Sequence, residues 1–310
     1  MLATTLLPTN LAAKKTNLKK SQETAQQQNI SLGEQAYEAF EEGKYITALK
    51  LAEKAIANNE PNAYTLLGRI YAGGLGIPKD MKKAASYYEQ GAKLGDVHSL
   101  VALGGQYAAG NGVVKNYTKA ANLFEKAAKK GEPMAQYNLA LIYANGDGRR
   151  IDLYETAKWM QKAADNDLAV AQYALGTLYA LGRGVQKDEE KAAIWTSKAA
   201  RAGNSEAELE YAIMLFKGRG IEKDIKLAFH YFRSSAVKGN PVAQNRLARL
   251  YAYGIAVEPN PVEAAKWHLI SRDQGITDMK LDLFVANLPK DMRQKAEAAI
   301  NELKGTNGLY

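Results

Sequence analysis

The strongest constraint on the fold is a repeat of 36 residues that begins at Pro61 and occurs six times. When the chain is aligned on this period, the seventh position is leucine in five repeats, and the eighth position is always glycine or alanine. Glycine occupies the fourteenth position of all six repeats, and a second glycine follows two residues later in five of them. Such a period predicts stacked copies of one supersecondary unit, each burying its apolar face against its neighbours. The repeats begin at Pro61, Val97, Pro133, Ala169, Ser205 and Pro241.

The pattern within a repeat predicts two helices joined by a loop. Positions three, seven, eight and eleven have helical spacing and form an apolar stripe, as in Ala135, Leu139, Ala140 and Tyr143. The Gly-x-Gly pair ends the first helix, because glycine readily adopts the positive φ of a helix C-cap. The second helix ends at a glycine in five repeats, and Asp167 takes that place in the third. An Asp or Asn side chain is expected to cap the start of each second helix: Asp80, Asn116, Asp152, Asp188, Asp224 and Asn260.

One stretch identifies the repeat type. Residues 171–195 read A-x-x-x-L-G-x-x-Y-x-x-G-x-G-V-x-x-D-x-x-K-A-A-x-W, which resembles the Sel1-like repeat, a subgroup of the tetratricopeptide-type helical repeats. The resemblance covers 61–276. It implies an all-α, right-handed α/α superhelical solenoid of Sel1-like helix pairs.

The sequence outside the repeats predicts two ends that differ from the middle. Residues after the last repeat are expected to form helices at Met279–Ala286 and Pro289–Leu303. The predicted organisation is a disordered tail over 1–32, a tetratricopeptide-like N-terminal capping helix pair over 33–60, six repeats over 61–276, and C-terminal capping helices over 277–310.

The first residues leave two interpretations open. Met1–Ala13 is apolar and ends in small residues before Lys14 and Lys15, which is similar to the second half of a secretory signal but lacks a positive beginning. If the start is truncated, the protein is periplasmic or secreted; otherwise the segment is a disordered tail of a cytoplasmic protein. We expect no membrane span, since no stretch approaches the ~20 apolar residues required.

The resemblance implies a non-enzymatic adaptor or scaffold that binds a partner protein or peptide, for example in a signalling or regulatory complex. An alternative is a bacterial cell-envelope or host-interaction assembly factor. A more distant one is a hydrolase of the repeat superfamily, but the relatives assigned such roles are rich in disulfides, and this chain has no cysteine. We do not expect nucleic-acid binding, because +3 of the formal net charge of +8 lies in residues 1–32 and the rest is dilute.

Three features of the sequence bear on catalysis or ligand binding. The Gly-x-Gly loops follow helices and not strands, so they do not match a dinucleotide fingerprint. His98, His230 and His268 occupy unrelated positions of the repeat, which argues against a metal or catalytic site. Aromatic residues at one position of the second helices are expected to pack between repeats: Trp159, Trp195, Tyr231 and Trp267. No catalytic residue, metal or cofactor is predicted.

The partner is predicted to bind the concave face formed by the first helices. Positions two, six, nine and thirteen share one helical face and vary from repeat to repeat, unlike the positions needed for packing. In the last four repeats they combine apolar residues with charged ones, which suits a peptide or helix of acidic character. The predicted contact residues are Met134, Asn138, Leu141, Asn145, Thr177, Glu210, Lys217, Arg246, Arg249 and Tyr253.

Overall fold

A computed structural model describes residues 30–307, with side chains described as far as residue 303. These residues form α-helices and no strand, which confirms the all-α prediction. The predicted tail and signal-like segment lie mostly outside them. The helices are α1 (Leu32–Glu41), α2 (Tyr45–Ala57), α3 (Pro61–Gly73), α4 (Met81–Lys93), α5 (Val97–Ala109), α6 (Tyr117–Lys129), α7 (Pro133–Asn145), α8 (Leu153–Asp165), α9 (Ala169–Leu181), α10 (Glu189–Arg201), α11 (Ser205–Lys217), α12 (Ile225–Val237), α13 (Pro241–Tyr253), α14 (Pro261–Asp273), α15 (Met279–Ala286) and α16 (Lys290–Asn307).

Both predicted helix-end signals are present in every repeat. The six Asp or Asn residues accept hydrogen bonds from backbone N–H groups at the start of the second helices. The first glycine of each loop has a left-handed backbone and closes the first helix. Asp167, with φ of 58°, and Ala256, with φ of 68°, adopt this conformation where the repeat usually has glycine. The loops within the repeats therefore share a backbone conformation, which the Asp or Asn caps and the left-handed residues largely determine.

The chain divides into two compact units, Met1–Lys130 and Gly131–Tyr310. In the first unit, α1 packs against α2, and each later helix packs against the next as far as α6. Small residues such as Ala48, Ala63 and Ala84 are fully buried between these helices. The first helix α5 of this unit contains two consecutive glycines, Gly104 and Gly105. They differ in how closely other atoms would approach an added Cβ.

In the second unit, α7 to α14 also pack in sequence, and α15 and α16 pack on α14. Trp159, Trp195 and Trp267 are at most 9% exposed, and Tyr231 contacts Tyr211 edge to face, with ring centroids 5.0 Å apart. These aromatic residues therefore serve packing, but the Tyr231–Tyr211 contact lies within the fifth repeat, and packing of this position between repeats stays a prediction. The final helix extends to Asn307, further than the sequence predicted.

Consecutive repeats of the second unit are also joined by hydrogen bonds from buried amides. Gln172 and Gln244 occupy the fourth position of their repeats and are at most 3% exposed. Their Nε2 groups donate to the carbonyl oxygens of Ala164 and Ala236, in the second helix of the preceding repeat, at 3.3 and 3.2 Å. Because a buried side-chain amide without a hydrogen-bond partner is costly, these bonds favour one register between repeats.

Two glycines in first helices of the first unit give a matched stability test. A Cβ at Gly68 would lie 2.2 Å from Cε1 of the buried Tyr88, whereas a Cβ at Gly105 would meet nothing within 4 Å. We expect Gly68→Ala to lower the free energy of unfolding by about 1–3 kcal/mol through overpacking. Gly105→Ala should raise it by about 0.5–1 kcal/mol, because alanine restricts the unfolded chain and favours helix. Urea unfolding of both variants checks the opposite signs, and equal effects would contradict the close approach of α3 and α4.

Candidate partner-binding surface

The predicted partner-binding residues all lie on α7, α9, α11 and α13, the first helices of the unit that begins at Gly131. We call positions two, six, nine and thirteen of these four helices the first-helix surface. The structure leaves all ten of the predicted residues at least partly accessible to solvent. The exposed ones are Met134, Asn145, Thr177, Lys217, Arg246 and Tyr253, and the half-buried ones are Asn138, Leu141, Glu210 and Arg249.

Several large apolar side chains of the first-helix surface are exposed. Leu181 is 60% exposed and Tyr253 is 51% exposed, while Leu175 and Leu247 on the same two helices are fully buried. The contrast separates the packing positions of these helices from positions that remain open to solvent. The exposed apolar residues of the surface are Met134, Val170, Leu181, Val242 and Tyr253.

A cavity of about 290 Å³ lies between α11 and α13, and it brings together four of the predicted residues: Lys217, Arg246, Arg249 and Tyr253. Its remaining lining is entirely apolar. The six other predicted residues lie outside it. The apolar lining consists of Ile213, Phe216, Phe232, Leu250 and Ile255.

Arg249 has a structural partner that the sequence did not predict. Its Nε donates to Oδ2 of Asp278 at 2.7 Å, and the Asp278 side chain is only 3% exposed. Nδ2 of Asn245 donates to the same oxygen at 3.0 Å, and the second carboxylate oxygen accepts from the backbone N–H of Leu281 at 3.4 Å. Asp278 is thus both the N-cap of α15 and an ion-pair partner for the last repeat.

The pKa of Asp278 follows from these contacts. Burial alone would raise the pKa of this carboxyl group, but the hydrogen bonds from Arg249, Asn245 and the Leu281 backbone hold it below its ordinary value. On the sequence alone, reversing the charge of Arg246 and Arg249 should weaken binding without lowering the melting temperature. The Asp278 contact makes that expectation wrong for Arg249, whose removal would leave a buried carboxylate without its cation.

Glu210 is also engaged within the unit. Nη2 of Arg219, in the loop after α11, donates to Oε1 of Glu210, and Nε of Arg219 lies 3.7 Å from Oε2 of Glu189. Burial raises the pKa of Tyr173, and the nearby carboxylates of Glu210 and Glu206 raise it further. Arg219 therefore offsets the negative charge of Glu210.

Arg246 and Lys217 differ from Arg249, the third charged residue that lines this cavity. Both side chains are exposed. Within the part of the chain that the structure describes, no carboxylate forms an ion pair with either of them. The rim of the apolar cavity thus carries positive charge that no carboxylate of the described residues neutralises in an ion pair.

The sequence model of the Sel1 repeat family matches six consecutive segments of the chain. They are residues 61–96, 97–132, 133–168, 169–204, 205–240 and 241–276. The chain belongs to the Sel1 repeat family. The match agrees with the register in which the repeats were aligned, which confirms the resemblance drawn from the Gly, Tyr and Asp positions.

Solved structures of other Sel1 repeat proteins have the same fold. The c5321 protein, described as a protective antigen present in uropathogenic Escherichia coli strains and displaying an SLR fold, is 25% identical, with a TM-score of 0.75. That comparison covers 91% of this chain and 68% of c5321. A Sel1 repeat protein from Oxalobacter formigenes is 27% identical with a TM-score of 0.69, covering 81% of this chain and 100% of that protein. No curated protein matches the sequence.

These findings place the chain among helical solenoid proteins. Sel1 repeat proteins commonly act as scaffolds for protein–protein interaction and are generally not enzymes. In residues 30–307, no helix combines the length and apolar character needed to cross a bilayer.

Sequence reasoning missed the cavity and the polar contacts that fix its walls. Phe216 and Ile255 line the cavity, but neither belongs to the variable positions of the Sel1 repeats that were singled out. The sequence contained a signal for polar contacts between repeats at the fourth position of the repeat. There the last four repeats have Gln or Glu, and the first two have Tyr and Leu. A polar residue at a regular interval in an otherwise apolar helix indicates a buried hydrogen bond between repeats.

The histidines have different surroundings. His98 and His230 are exposed, whereas His268 is fully buried, and its Nε2 lies 2.8 Å from Oδ1 of Asp282 on α15. This supports an interhelix role for His268. Among the described residues, no three His, Asp or Glu side chains are grouped in a way that could hold a metal ion.

Proposed function

We propose that this Sel1 repeat protein is a non-enzymatic adaptor that binds a partner protein or peptide on the first-helix surface. The observation that carries the proposal is the exposure of Leu181 and Tyr253 on helices whose packing positions are fully buried, with Tyr253 also lining the α11–α13 cavity. Exposed apolar side chains grouped with polar ones are typical of surfaces that bind another chain. Aromatic residues such as Tyr253 are frequent anchors in such contacts.

The roles of the polar side chains support a scaffold over an enzyme. The Asp and Asn side chains at the ends of the loops cap helices, and Asp278 and Glu208 form ion pairs that join helices. Catalytic carboxylates or histidines would be expected to converge on one cleft with pKa values suited to proton transfer. The charged lining of the α11–α13 cavity consists of cations alone.

Position-specific photo-crosslinking of the full chain tests the proposal. A photoreactive amino acid at Thr177 lies on the first-helix surface, and one at Ile194, which is 53% exposed, lies on the second helix α10 of the same repeat. We expect the Thr177 probe to crosslink a discrete protein in lysate of the source cell, and the Ile194 probe to crosslink it much less. Equal crosslinking at both positions, or none at Thr177, would contradict binding on this surface.

A further inference from the structure

We propose that the α11–α13 cavity binds one large apolar side chain of an acidic peptide, while Arg246 and Lys217 contact carboxylates next to that side chain. The proposal rests on the proposed function and adds to it the chemistry of the partner. It concerns one place on the first-helix surface, at the fifth and sixth repeats, and not the surface as a whole.

The size and lining of the cavity indicate what it holds. Pockets for small-molecule ligands measure about 300–1,000 Å³, so a cavity of about 290 Å³ is at the lower limit of that range. It offers no polar group at its base, since Phe232 and Leu250 are buried apolar residues. A helix of about 10–12 Å diameter cannot enter such a space, but a single aliphatic or aromatic side chain fits it. Burying such a side chain supplies the affinity of many peptide anchors.

The charged residues at the rim of the cavity determine the sign of the charge that a bound peptide should carry. Arg249 is paired with Asp278, and Glu210 is paired with Arg219. Because these charges largely offset each other, Arg246 and Lys217 dominate the potential at the mouth of the cavity. Glu206 is at the opposite end of α11 from Lys217, about 16 Å away along a helix that rises about 1.5 Å per residue. A peptide with carboxylates beside its anchor is therefore attracted, and a basic peptide is repelled.

Leu181 extends the site toward the preceding repeat. It occupies on α9 the position that Lys217 occupies on α11 and Tyr253 on α13, so these three side chains mark equivalent places on successive first helices. A second apolar residue of the bound peptide is expected to contact Leu181.

Selection from a random peptide display library on the full chain tests the proposal. The expected peptides share one large apolar residue flanked by Asp or Glu. In fluorescence polarisation with a labelled selected peptide, Arg246→Glu should weaken binding about tenfold or more, and added salt should weaken it too. Lys226→Glu is the matched control, since Lys226 is an exposed cation on the second helix α12, and it should change affinity less than about twofold.

Filling the cavity gives an independent readout. Ile213→Trp places a larger side chain at its half-buried wall and should weaken the same peptide about tenfold, with an unchanged thermal transition. Selected peptides without acidic residues would overturn the proposal, and so would affinities unchanged by Arg246→Glu and Ile213→Trp. It would also be overturned if the chain retained a small amphiphilic carboxylate in the α11–α13 cavity in place of a peptide. If crosslinking at Thr177 succeeds while these variants have no effect, the adaptor function stands and only this site is wrong.

Discussion

Gly220→Ala is expected to lower the free energy of unfolding by about 2–5 kcal/mol, one of the largest effects of a single methyl group in this chain. The φ of Gly220 is 66°, where an L-residue costs about 1–2 kcal/mol. A Cβ there would also lie 1.9 Å from the carbonyl oxygen of Glu189, the first residue of the preceding second helix. Because that oxygen belongs to the backbone of α10, either the loop or the helix must move, which adds about 1–3 kcal/mol. Urea unfolding of the full chain measures the loss.

Gly275→Ala separates the two causes. Gly275 has a φ of 90°, but a Cβ there would meet nothing within 4 Å. Its replacement should therefore cost only the backbone term of about 1–2 kcal/mol. The sixth repeat already has Ala256, with φ of 68°, at the position equivalent to Gly220, so alanine does not by itself exclude this conformation. Equal losses for both variants would mean that the contact with Glu189 does not matter.

Gly220 illustrates which features of the fold could be predicted. The sequence shows a second glycine in five repeats, and a recurring glycine predicts a recurring backbone requirement. The sequence indicated the left-handed conformation but not the neighbour. In three repeats a Cβ on this glycine would collide with the carbonyl of the residue that begins the preceding second helix: Gly112 with Met81, Gly184 with Leu153, and Gly220 with Glu189. Contacts between repeats depend on stacking distance, which no single repeat encodes.

The candidate site was predictable only in part, for a related reason. Comparing repeats separates positions that serve packing from those that vary, and this identified Arg246, Lys217 and Tyr253. It could not identify the partner of Arg249, because Asp278 lies after the last repeat and has no counterpart in the others. The cavity also depends on local side chains, Phe216 and Ile255, whose packing cannot be derived from periodicity.

Asp278→Ala is expected to lower the free energy of unfolding by about 2–4 kcal/mol and to loosen α15 from the last repeat. The substitution removes a charge-assisted hydrogen bond with Arg249, worth about 1.5–3 kcal/mol when well buried and less here because the Arg249 side chain is 39% exposed. It also removes the N-cap of α15, worth about 1 kcal/mol. Hydrogen exchange of the α15 amides, read together with urea unfolding, locates the loss.

Asp278→Asn distinguishes these contributions, since asparagine is also an effective N-cap but carries no charge. Asp278→Asn should retain protection from hydrogen exchange at the start of α15 and lose the ion pair. The pKa of Asp278 is lowered in the folded state, so its contribution is present above the ordinary carboxyl pKa of about 3.9 and is lost as the pH falls through the folded value. The wild type should therefore lose stability below about pH 4 more steeply than Asp278→Asn. Parallel pH profiles would show that the ion pair contributes little. Arg249→Gln should lower stability more than Asp278→Asn does, because it leaves the buried Asp278 carboxylate without its cation. Arg246→Glu should leave the melting temperature unchanged and affect only binding.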